Sequence, residues 1–240
     1  MFKFVRCNRN YFIVVIEKKE SDPAVSTEFH KIRQIRFLTE TTFVLRLERG
    51  NMQFKAGQHI IVGLEGELNQ REYSVYSGEK DDYLEILVRE VLDGNVSLQL
   101  KQCKPGQFVQ VNGPFGSFGL ETFDMFSRKL VFISTGTGIS PFHSFVRSYP
   151  GMNYILFHGV RYNNEAYERD DYDSRRYILC TSKESKGGHK GRVTSFLPGY
   201  PVNPEMLFYL CGNNNMIYEV YHILRDKGIS DDNIFSEVYF

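Results

Sequence analysis

Residues 129–142 read KLVFISTGTGISPF, an apolar run that ends in a turn with two glycines and leads into a segment of helical length. Uninterrupted apolar runs are typical of parallel strands that are buried on both faces. Similar runs follow, alternating with further segments of helical length: NYILFHGV, RYILCTS and LFYLCGN. This alternation predicts a doubly wound parallel α/β sheet over residues 127–240.

The residues before this point show a different pattern. Residues 32–50, IRQIRFLTETTFVLRLERG, alternate so that Phe43, Leu45 and Leu47 share one face. Short strands continue, with glycine, asparagine and aspartate turn signals between them: HIIVGL, YLEILVREV and GQFVQVNGPFGSF. An antiparallel β-barrel over residues 29–126 is therefore predicted, after an N-terminal extension of residues 1–28.

Charge and cysteine usage narrow the class of protein. The chain has 29 basic and 29 acidic residues, a balance that argues against a nucleic-acid-binding domain. The cysteines contain no CxxC pair, which argues against an iron–sulfur cluster and favours a reducing compartment, the cytoplasm: Cys7, Cys103, Cys180 and Cys211. The apolar run Tyr11–Ile16 is too short to span a bilayer, so no membrane insertion is predicted.

Two glycine turns follow buried strands in the second half of the chain. Gly136 and Gly138 would let the backbone approach a ligand closely, and the helix after them would offer N–H groups to a phosphate. The turn does not match GxGxxG, so an ordinary strand-to-helix turn is the alternative. The second turn, YLCGNNNMI at 209–217, places Cys211 at the end of its strand, where a merely buried thiol is the alternative. Because ligands bind at the carboxyl ends of strands in such sheets, the two turns are predicted to hold two parts of one ligand.

Together with four other segments, these turns resemble the motif set of the ferredoxin–NADP reductase family of flavoproteins. The segments are REYS at 71–74, DGNVSLQL at 93–100, GPFGSF at 113–118 and SEVYF at 236–240. The resemblance runs from about residue 29 to the C-terminus and depends on the order and spacing of the whole set. It implies an antiparallel Greek-key β-barrel that binds FAD, followed by a doubly wound parallel α/β sheet that binds NAD(P).

The resemblance assigns the REYS strand to the flavin. Arg71 would pair its planar fork of donors with the FAD pyrophosphate, Tyr73 would lie against the flavin ring, and Ser74 would hydrogen-bond near N5, which accepts hydride. A barrel strand with an exposed arginine and a core tyrosine is the alternative. Other FAD contacts follow by position: Glu72, Val88, Arg89, Glu90, Asn95, Val96, Ser97, Thr137 and Tyr239.

The same resemblance predicts three catalytic residues, Ser74, Cys211 and Glu237. Cys211 would sit where the nicotinamide slides over the flavin, and Glu237 would stabilise or relay charge as the flavin cycles. Tyr239 would cover the flavin face, although Phe240 makes the chain one residue longer than the family's EVY ending. A plain terminal edge strand is the alternative for IFSEVYF.

NADP-using relatives hold the 2′-phosphate with cations at three positions, and the matches here are Arg161, the Ser182–Lys183 pair and Arg192. Lysine at 183 keeps the charge of the family's arginine but loses its bidentate geometry. NADP is therefore predicted, NAD is not excluded, and an ordinary solvated loop is the alternative. Additional local charge is predicted at Lys186 and Lys190, and further nucleotide contacts at Gly136, Gly138, Gly212, Asn213 and Met216.

The implied activity is that of an FAD-dependent oxidoreductase that transfers hydride between NADPH and FAD and single electrons to or from ferredoxin or flavodoxin. The first alternative is a reductase of another acceptor: an NADH-dependent flavin reductase, an oxygenase reductase component or a dihydroorotate dehydrogenase electron-transfer subunit. The second is a non-catalytic module that keeps the fold, which is disfavoured because Arg71 and Ser74 are both present.

Overall fold

The structure is a computed structural model that describes residues 2–7, 11–16, 28–91, 94–184 and 188–239. For the first two ranges and for residues 122–123 it describes the backbone alone. The sequence predictions that concern Lys186 and Phe240 lie outside the described residues.

The strands and helices, numbered in chain order, have the following bounds. The strands are β1 (Phe2–Cys7), β2 (Tyr11–Ile16), β3 (Glu28–Phe37), β4 (Thr42–Glu48), β5 (His59–Leu64), β6 (Gln70–Ser74), β7 (Tyr83–Arg89), β8 (Phe108–Phe115), β9 (Leu130–Thr135), β10 (Tyr154–Val160), β11 (Tyr177–Thr181), β12 (His189–Lys190), β13 (Leu207–Asn213) and β14 (Ile234–Tyr239). The helices are α1 (Asn95–Gln102), α2 (Thr122–Ser127), α3 (Ser140–Ser148), α4 (Val193–Phe196) and α5 (Asn214–Asp226). None of the described helices combines the length and the apolar character needed to cross a membrane.

The chain divides into two compact units. The barrel unit contains the described part of Ser21–Gly119 together with the segment Ser140–Pro150. The α/β unit contains β1, β2 and the segments Leu120–Ile139 and Gly151–Phe240. Helix α3, which comes from the second half of the sequence, is therefore grouped with the barrel. The domain boundary near residue 126 stays a prediction.

The barrel unit is an antiparallel sheet with strand order β6-β5-β8-β3-β4-β7. Its two ends meet, because Val75, just after β6, forms a bridge with Ile86 of β7. Alternation along β4 points Phe43, Leu45 and Leu47 into the core, where all three are fully buried, as predicted. The predicted antiparallel barrel is confirmed.

Helix α1 is the element of the barrel unit that the sequence analysis missed. The predicted FAD contacts Asn95, Val96 and Ser97 lie in the first turn of this eight-residue helix. Val96 and Leu100 lie four residues apart and are both buried in the barrel core. A helix this short shows only two apolar positions at helical spacing, which is too few to distinguish it from a turn.

Helix α3 packs on the segment that follows β6. The rings of Tyr76 and His143 stack with their centroids 3.7 Å apart and their planes 9° from parallel. Ser144 Oγ donates a hydrogen bond to the backbone oxygen of Ser77 at 2.7 Å. These contacts explain why the barrel unit includes a helix that follows β9 in the sequence.

The α/β unit is built on a sheet with strand order β12-β11-β10-β9-β13-β14-β1-β2, parallel from β12 to β14. The apolar runs identified in the sequence are β9, β10, β11 and β13, each within one residue at either end. Helix α5 buries Met216, Val220 and Leu224 in the core of this unit, at the four-residue spacing of one helical face. The predicted parallel α/β fold is confirmed.

The last strand does not lie at the edge of this sheet. Strand β1 pairs antiparallel with β14, with Phe2 opposite Ser236, and β2 pairs with β1. The alternative that residues 234–240 form a plain edge strand is therefore wrong. Periodicity could not show this, because it describes the strand itself and not a pairing partner more than 200 residues away.

Candidate functional site

Strand β6 carries the first set of predicted FAD residues. Arg71 is exposed, and its Nη1 donates to the backbone oxygen of Gln70 at 2.8 Å. Tyr73 is half-buried against the barrel core, and burial raises the pKa of its phenol to about 12, although the charge of Arg71 opposes the shift. Tyr73 is therefore a neutral ring with a hydroxyl donor at any physiological pH. Ser74 is buried at the end of the strand, opposite His59 of β5.

The second set of predicted FAD residues lies at the end of β7. Val88 is fully buried, whereas Arg89 and Glu90 are half-buried. The Glu90 carboxylate forms an ion pair with Lys101 of α1, and Lys101 Nζ also donates to the backbone oxygen of Glu40 at 2.8 Å. This lysine ties helix α1 to the end of β7.

The third set is the first turn of α1. Leu98 N makes the first helical hydrogen bond, to Gly94 O at 3.3 Å, so the N–H groups of Asn95, Val96 and Ser97 precede it. Ser97 Oγ accepts a hydrogen bond from Val91 N at 3.1 Å and donates to Gly94 O at 3.2 Å, which fixes the entry to the helix. A Cβ atom at position 94 would lie 3.0 Å from Ser97 Oγ, so a side chain there would require this hydroxyl to move.

One hydrophobic core joins these three sets. Val88 and Val96 belong to it, and Tyr73 packs against it. The barrel unit therefore carries an exposed guanidinium on β6, an aromatic ring packed against the core and a helix N-terminus built on the same core. This donor set suits a diphosphate attached to a planar ring, because a guanidinium and helical N–H groups both bind phosphate oxygens. FAD has these features, so the residues present fit the predicted cofactor.

Two glycine turns at the carboxyl ends of β9 and β13 form the centre of the α/β unit. A Cβ atom on Gly138 would lie 2.4 Å from the backbone oxygen of Cys211. Gly212 has a φ of +132°, and a Cβ atom there would lie 2.4 Å from Thr135 Oγ1. Asn213 N donates to the same Thr135 Oγ1 at 3.1 Å. The turns interlock through backbone atoms, and only glycine allows this approach.

Helix α5 begins at the second of these turns. Asn213 caps it, since its side chain accepts a hydrogen bond from Asn215 N at 3.0 Å. Met216, in the first turn of the helix, is buried in the core of the α/β unit. The first turn continues as a 3-10 turn, Gly136–Ile139, which contains Thr137. The nucleotide-binding predictions Gly136, Gly138, Gly212, Asn213 and Met216 thus fall on one edge of the sheet.

Cys211, Glu237 and Tyr239 lie side by side on β13 and β14. The register places Cys211 opposite Glu237 and Asn213 opposite Tyr239. Cys211 is completely buried, and burial, helped by the charge of Glu237, holds its pKa well above the usual range against a hydrogen bond from Tyr239. The side chain is therefore a neutral thiol and not a nucleophilic thiolate. Of the predicted catalytic residues, Ser74 belongs to the barrel unit and the other two to the α/β unit.

Two of the predicted 2′-phosphate positions, Arg161 and the Ser182–Lys183 pair, lie at the ends of β10 and β11. Ser182 N donates to Val160 O at 3.0 Å and Lys183 N to Arg161 O at 2.9 Å, so the two strand ends are joined. Arg192 is exposed and directly precedes α4. The structure thus brings Arg161 and Lys183 next to each other at the backbone.

Glu165 is a neighbour of Arg161 that the sequence analysis missed. Its Oε1 accepts from Arg161 Nη2 at 3.0 Å, and its Oε2 accepts from Arg161 N at 2.8 Å and from Tyr162 N at 3.2 Å. Partial burial favours the neutral acid, but these hydrogen bonds outweigh it and hold the pKa of Glu165 below its usual value. A second carboxylate, that of Glu184, accepts a hydrogen bond from Asn163 N. The four-residue spacing from Arg161 to Glu165 does not reveal the pair, because this spacing indicates neighbours only within a helix and Arg161 precedes the 3-10 turn Asn163–Glu165.

Comparison with known proteins identifies the family. A family model described as an oxidoreductase FAD-binding domain matches residues 32–119, and one described as an oxidoreductase NAD-binding domain matches residues 132–222. Together they cover well over half of the chain. The chain belongs to the ferredoxin–NADP reductase-like family of flavoproteins. It is an oxidoreductase with an FAD-binding and an NAD-binding domain, so the predicted family, fold and cofactor classes are confirmed.

The names of similar proteins state different electron-transfer roles. The toluate 1,2-dioxygenase electron transfer component of Pseudomonas putida is 28% identical over 225 residues, which are 87% of this chain and 66% of the relative. The flavodoxin/ferredoxin–NADP reductase of Escherichia coli (strain K12) is 28% identical over 211 residues, 78% of this chain and 85% of the relative. A solved ferredoxin NADP+ reductase from Neisseria gonorrhoeae with bound FAD and NADP has a TM-score of 0.79 and 23% identity, covering 89% of this chain and 99% of the other. The last likeness shows the fold alone, and the role of each predicted site residue stays a prediction.

Proposed function

We propose that this flavoprotein is an electron-transfer reductase that oxidises NADPH and passes electrons one at a time to a separate ferredoxin or flavodoxin. The observation that carries the proposal is the barrel core that Tyr73 and the first turn of α1 share, with the exposed Arg71 two residues before Tyr73 on β6. When bound, FAD would supply a ring that accepts hydride and gives up single electrons. Relatives named as flavodoxin/ferredoxin–NADP reductases and as an oxygenase electron transfer component support this class of reaction.

The chain's own residues would hold and orient the cofactor. Arg71 and the first N–H groups of α1 would neutralise the pyrophosphate, since both present donors to anionic oxygens. Tyr73, neutral because its pKa is about 12, would offer an apolar ring without repelling an electron-rich flavin. Ser74 would contribute a hydroxyl near the reacting atom. No general acid or base is needed for hydride transfer itself, and the contribution of the protein is alignment.

NADPH is the proposed donor because exposed cations cluster at one end of the parallel sheet. Lys183 and Arg192 are exposed, and Arg161 is 51% exposed at its side chain. A 2′-phosphate carries close to two negative charges and is bound by such groups. The phosphate would have to compete with Glu165 for the guanidinium of Arg161.

That ion pair favours a second candidate, an NADH-dependent reductase. Glu165 neutralises Arg161, and the Glu184 carboxylate, in the loop after β11, adds negative charge next to Asn163. Carboxylates at this edge of a sheet suit a ribose 2′-hydroxyl and repel a 2′-phosphate.

A stopped-flow experiment on the FAD-loaded protein tests both candidates. Loss of flavin absorbance is followed after mixing with NADPH and, separately, with NADH. Fast bleaching by NADPH, followed by reoxidation with an added ferredoxin or flavodoxin, is the expected result. Preferential bleaching by NADH would support the second candidate, and no bleaching by either nucleotide would overturn the reductase proposal.

The proposed location is the cytoplasm. Cys103, Cys180 and Cys211 are free thiols, which supports a reducing compartment.

A further inference from the structure

A buried histidine lies directly beneath the first glycine turn of the α/β unit. His158, on β10, is completely buried. Its Nε2 lies 2.9 Å from the backbone oxygen of Gly136, and its Nδ1 lies 2.6 Å from the hydroxyl of Tyr177 on β11. The ring thus connects the start of the turn Gly136–Ile139 to the neighbouring strand.

The partners determine which nitrogen carries the proton. A backbone carbonyl only accepts hydrogen bonds, so Nε2 must be the N–H that donates to Gly136. Nδ1 then has a lone pair, and Tyr177 donates its hydroxyl hydrogen to it. Burial raises the pKa of the Tyr177 hydroxyl, which keeps it protonated and able to donate. Burial lowers the pKa of His158 to about 4, against opposing effects of the Gly136 bond and Glu165, so the ring is neutral at physiological pH.

The hydrogen-bonded carbonyl belongs to a peptide whose orientation matters. Gly136 has a φ of +54°, a conformation in which the turn leaves β9 and which glycine adopts without strain. A trans peptide is planar, so its C=O and the next N–H point in opposite directions. Holding the Gly136 oxygen toward His158 therefore directs the Thr137 N–H away from the interior of the unit.

We propose that His158, held by Tyr177, is a positioning residue that fixes the orientation of the Gly136–Thr137 peptide in the turn that receives the nicotinamide dinucleotide. This inference rests on the proposed function and deepens it. His158 itself would touch neither nucleotide nor flavin. Its effect would be on nucleotide affinity, because a turn that samples other peptide orientations must be ordered again on binding.

Three substitutions separate this role from simple packing. The amide nitrogen of glutamine reaches about as far as histidine Nε2, whereas that of asparagine matches Nδ1 and leaves the Gly136 oxygen without a donor. His158→Gln should therefore keep the hydrogen bond and His158→Asn should lose it, although both place a neutral amide at the position. Tyr177→Phe removes the group that selects the Nε2–H form. His222→Gln, on α5 of the same unit, is the matched control.

Two measurements are made on the FAD-loaded variants. Titration with NADP+ and with NAD+ gives the Kd without turnover, and reduction of ferricyanide gives KM and kcat. We expect Kd and KM to rise about tenfold in His158→Asn and severalfold in Tyr177→Phe, with kcat changed less than about twofold, as for the loss of one hydrogen bond. His158→Gln and His222→Gln should stay within about twofold of the parent.

Several results would overturn the inference. Equal Kd values for the Gln and Asn variants would assign His158 to packing alone, and so would a fall in kcat with unchanged Kd. If His158→Asn does not fold, a parental Kd for Tyr177→Phe leads to the same conclusion. Failure of the proposed function looks different, because the parent protein would then neither bind the nucleotides nor reduce ferricyanide.

Discussion

The two units present their predicted ligands in different ways. The barrel unit offers exchangeable side chains on β6, Arg71 and Tyr73, with a helix end beside them. The α/β unit would bind its ligand mainly through the backbone of two glycine turns. These turns interlock at Gly138 and Gly212, where a Cβ atom would collide with the opposite turn. A binding surface made of side chains can lose affinity while the fold survives. One made of interlocked backbone cannot change without disturbing the fold.

The largest effect should therefore come from a single methyl group in the α/β unit. Gly212→Ala places a Cβ atom 2.4 Å from Thr135 Oγ1 on a residue with a φ of +132°. We expect a loss of about 3 kcal/mol or more in the free energy of unfolding, together with loss of NADP+ binding. Chemical denaturation and nucleotide titration measure the two. The control is Gly199→Ala, whose added Cβ would meet nothing within 4 Å; an equal loss there would contradict the prediction.

Acid should weaken the α/β unit through its buried histidine. The pKa of His158 is about 4 when folded and 6.5 in its ordinary state, so the unfolded chain binds more protons between these values. Above about pH 6.5 this group does not lower the free energy of unfolding. As the pH drops from there toward about 4, the free energy of unfolding falls by about 3 kcal/mol in total. Denaturation of the parent and of His158→Gln across this range isolates the effect. Parallel curves for the two proteins would count against it.

In the barrel unit, the corresponding prediction concerns one exposed side chain, that of Arg71. Arg71→Ala should weaken FAD retention by about 2 kcal/mol, because a charge-assisted contact to the pyrophosphate is lost. The stability of the protein without flavin should change by less than about 0.5 kcal/mol, since the residue is exposed. Flavin titration and thermal unfolding provide the measurements. Arg33→Ala, another exposed arginine of the barrel unit, should leave retention unchanged. Equal retention in both variants would remove the assignment of Arg71.

The smallest predicted effect concerns the choice between nucleotides. Replacing Lys183 and Arg192 together with alanine should lower the ratio of kcat/KM for NADPH to that for NADH about tenfold, since two exposed cations are lost. Glu165→Gln should raise the same ratio severalfold by releasing Arg161 from its ion pair. Steady-state reduction of ferricyanide measures both. Arg175→Ala, which removes an exposed arginine paired with Asp173, is the control. If neither the double variant nor Glu165→Gln changes the ratio, then Lys183, Arg192 and Glu165 do not select the nucleotide.

The two units also differ in how much of them the sequence reveals. Runs such as LFYLCGN follow from burial on two faces, so β9, β10, β11 and β13 could be predicted within about a residue. In the barrel unit, alternation identified the buried face of β4 but not the bounds of each strand. Helix α1 could not, because Val96 and Leu100 are its only buried apolar positions. The pairing of β1 with β14 joins the two ends of the chain, and no local pattern describes such a contact.

The residues of the candidate site also differ in whether the sequence reveals them. Arg71 and Gly212 belong to short motifs and could be identified from the sequence. The Glu165–Arg161 pair and the His158–Tyr177 contact could not, because they depend on which side chains the folded strands bring together. In the sequence, His158 is one polar residue within the apolar run of β10, and only the folded sheet shows that it contacts both Gly136 and Tyr177.

The grouping of helix α3 with the barrel has a consequence for how the chain folds as it is synthesised. Phe118 packs against Phe142 and Phe145 of α3, with ring centroids 6.1 and 6.2 Å apart, so the packing around Phe118 is incomplete without that helix. Residue 119 ends the first part of the barrel unit and residue 140 begins the second. At about 5–20 residues per second, a ribosome needs roughly one to four seconds to make the stretch between them. During that interval Phe118 lacks its two phenylalanine partners from α3. Strand β9 is therefore synthesised before α3 can pack on the barrel unit.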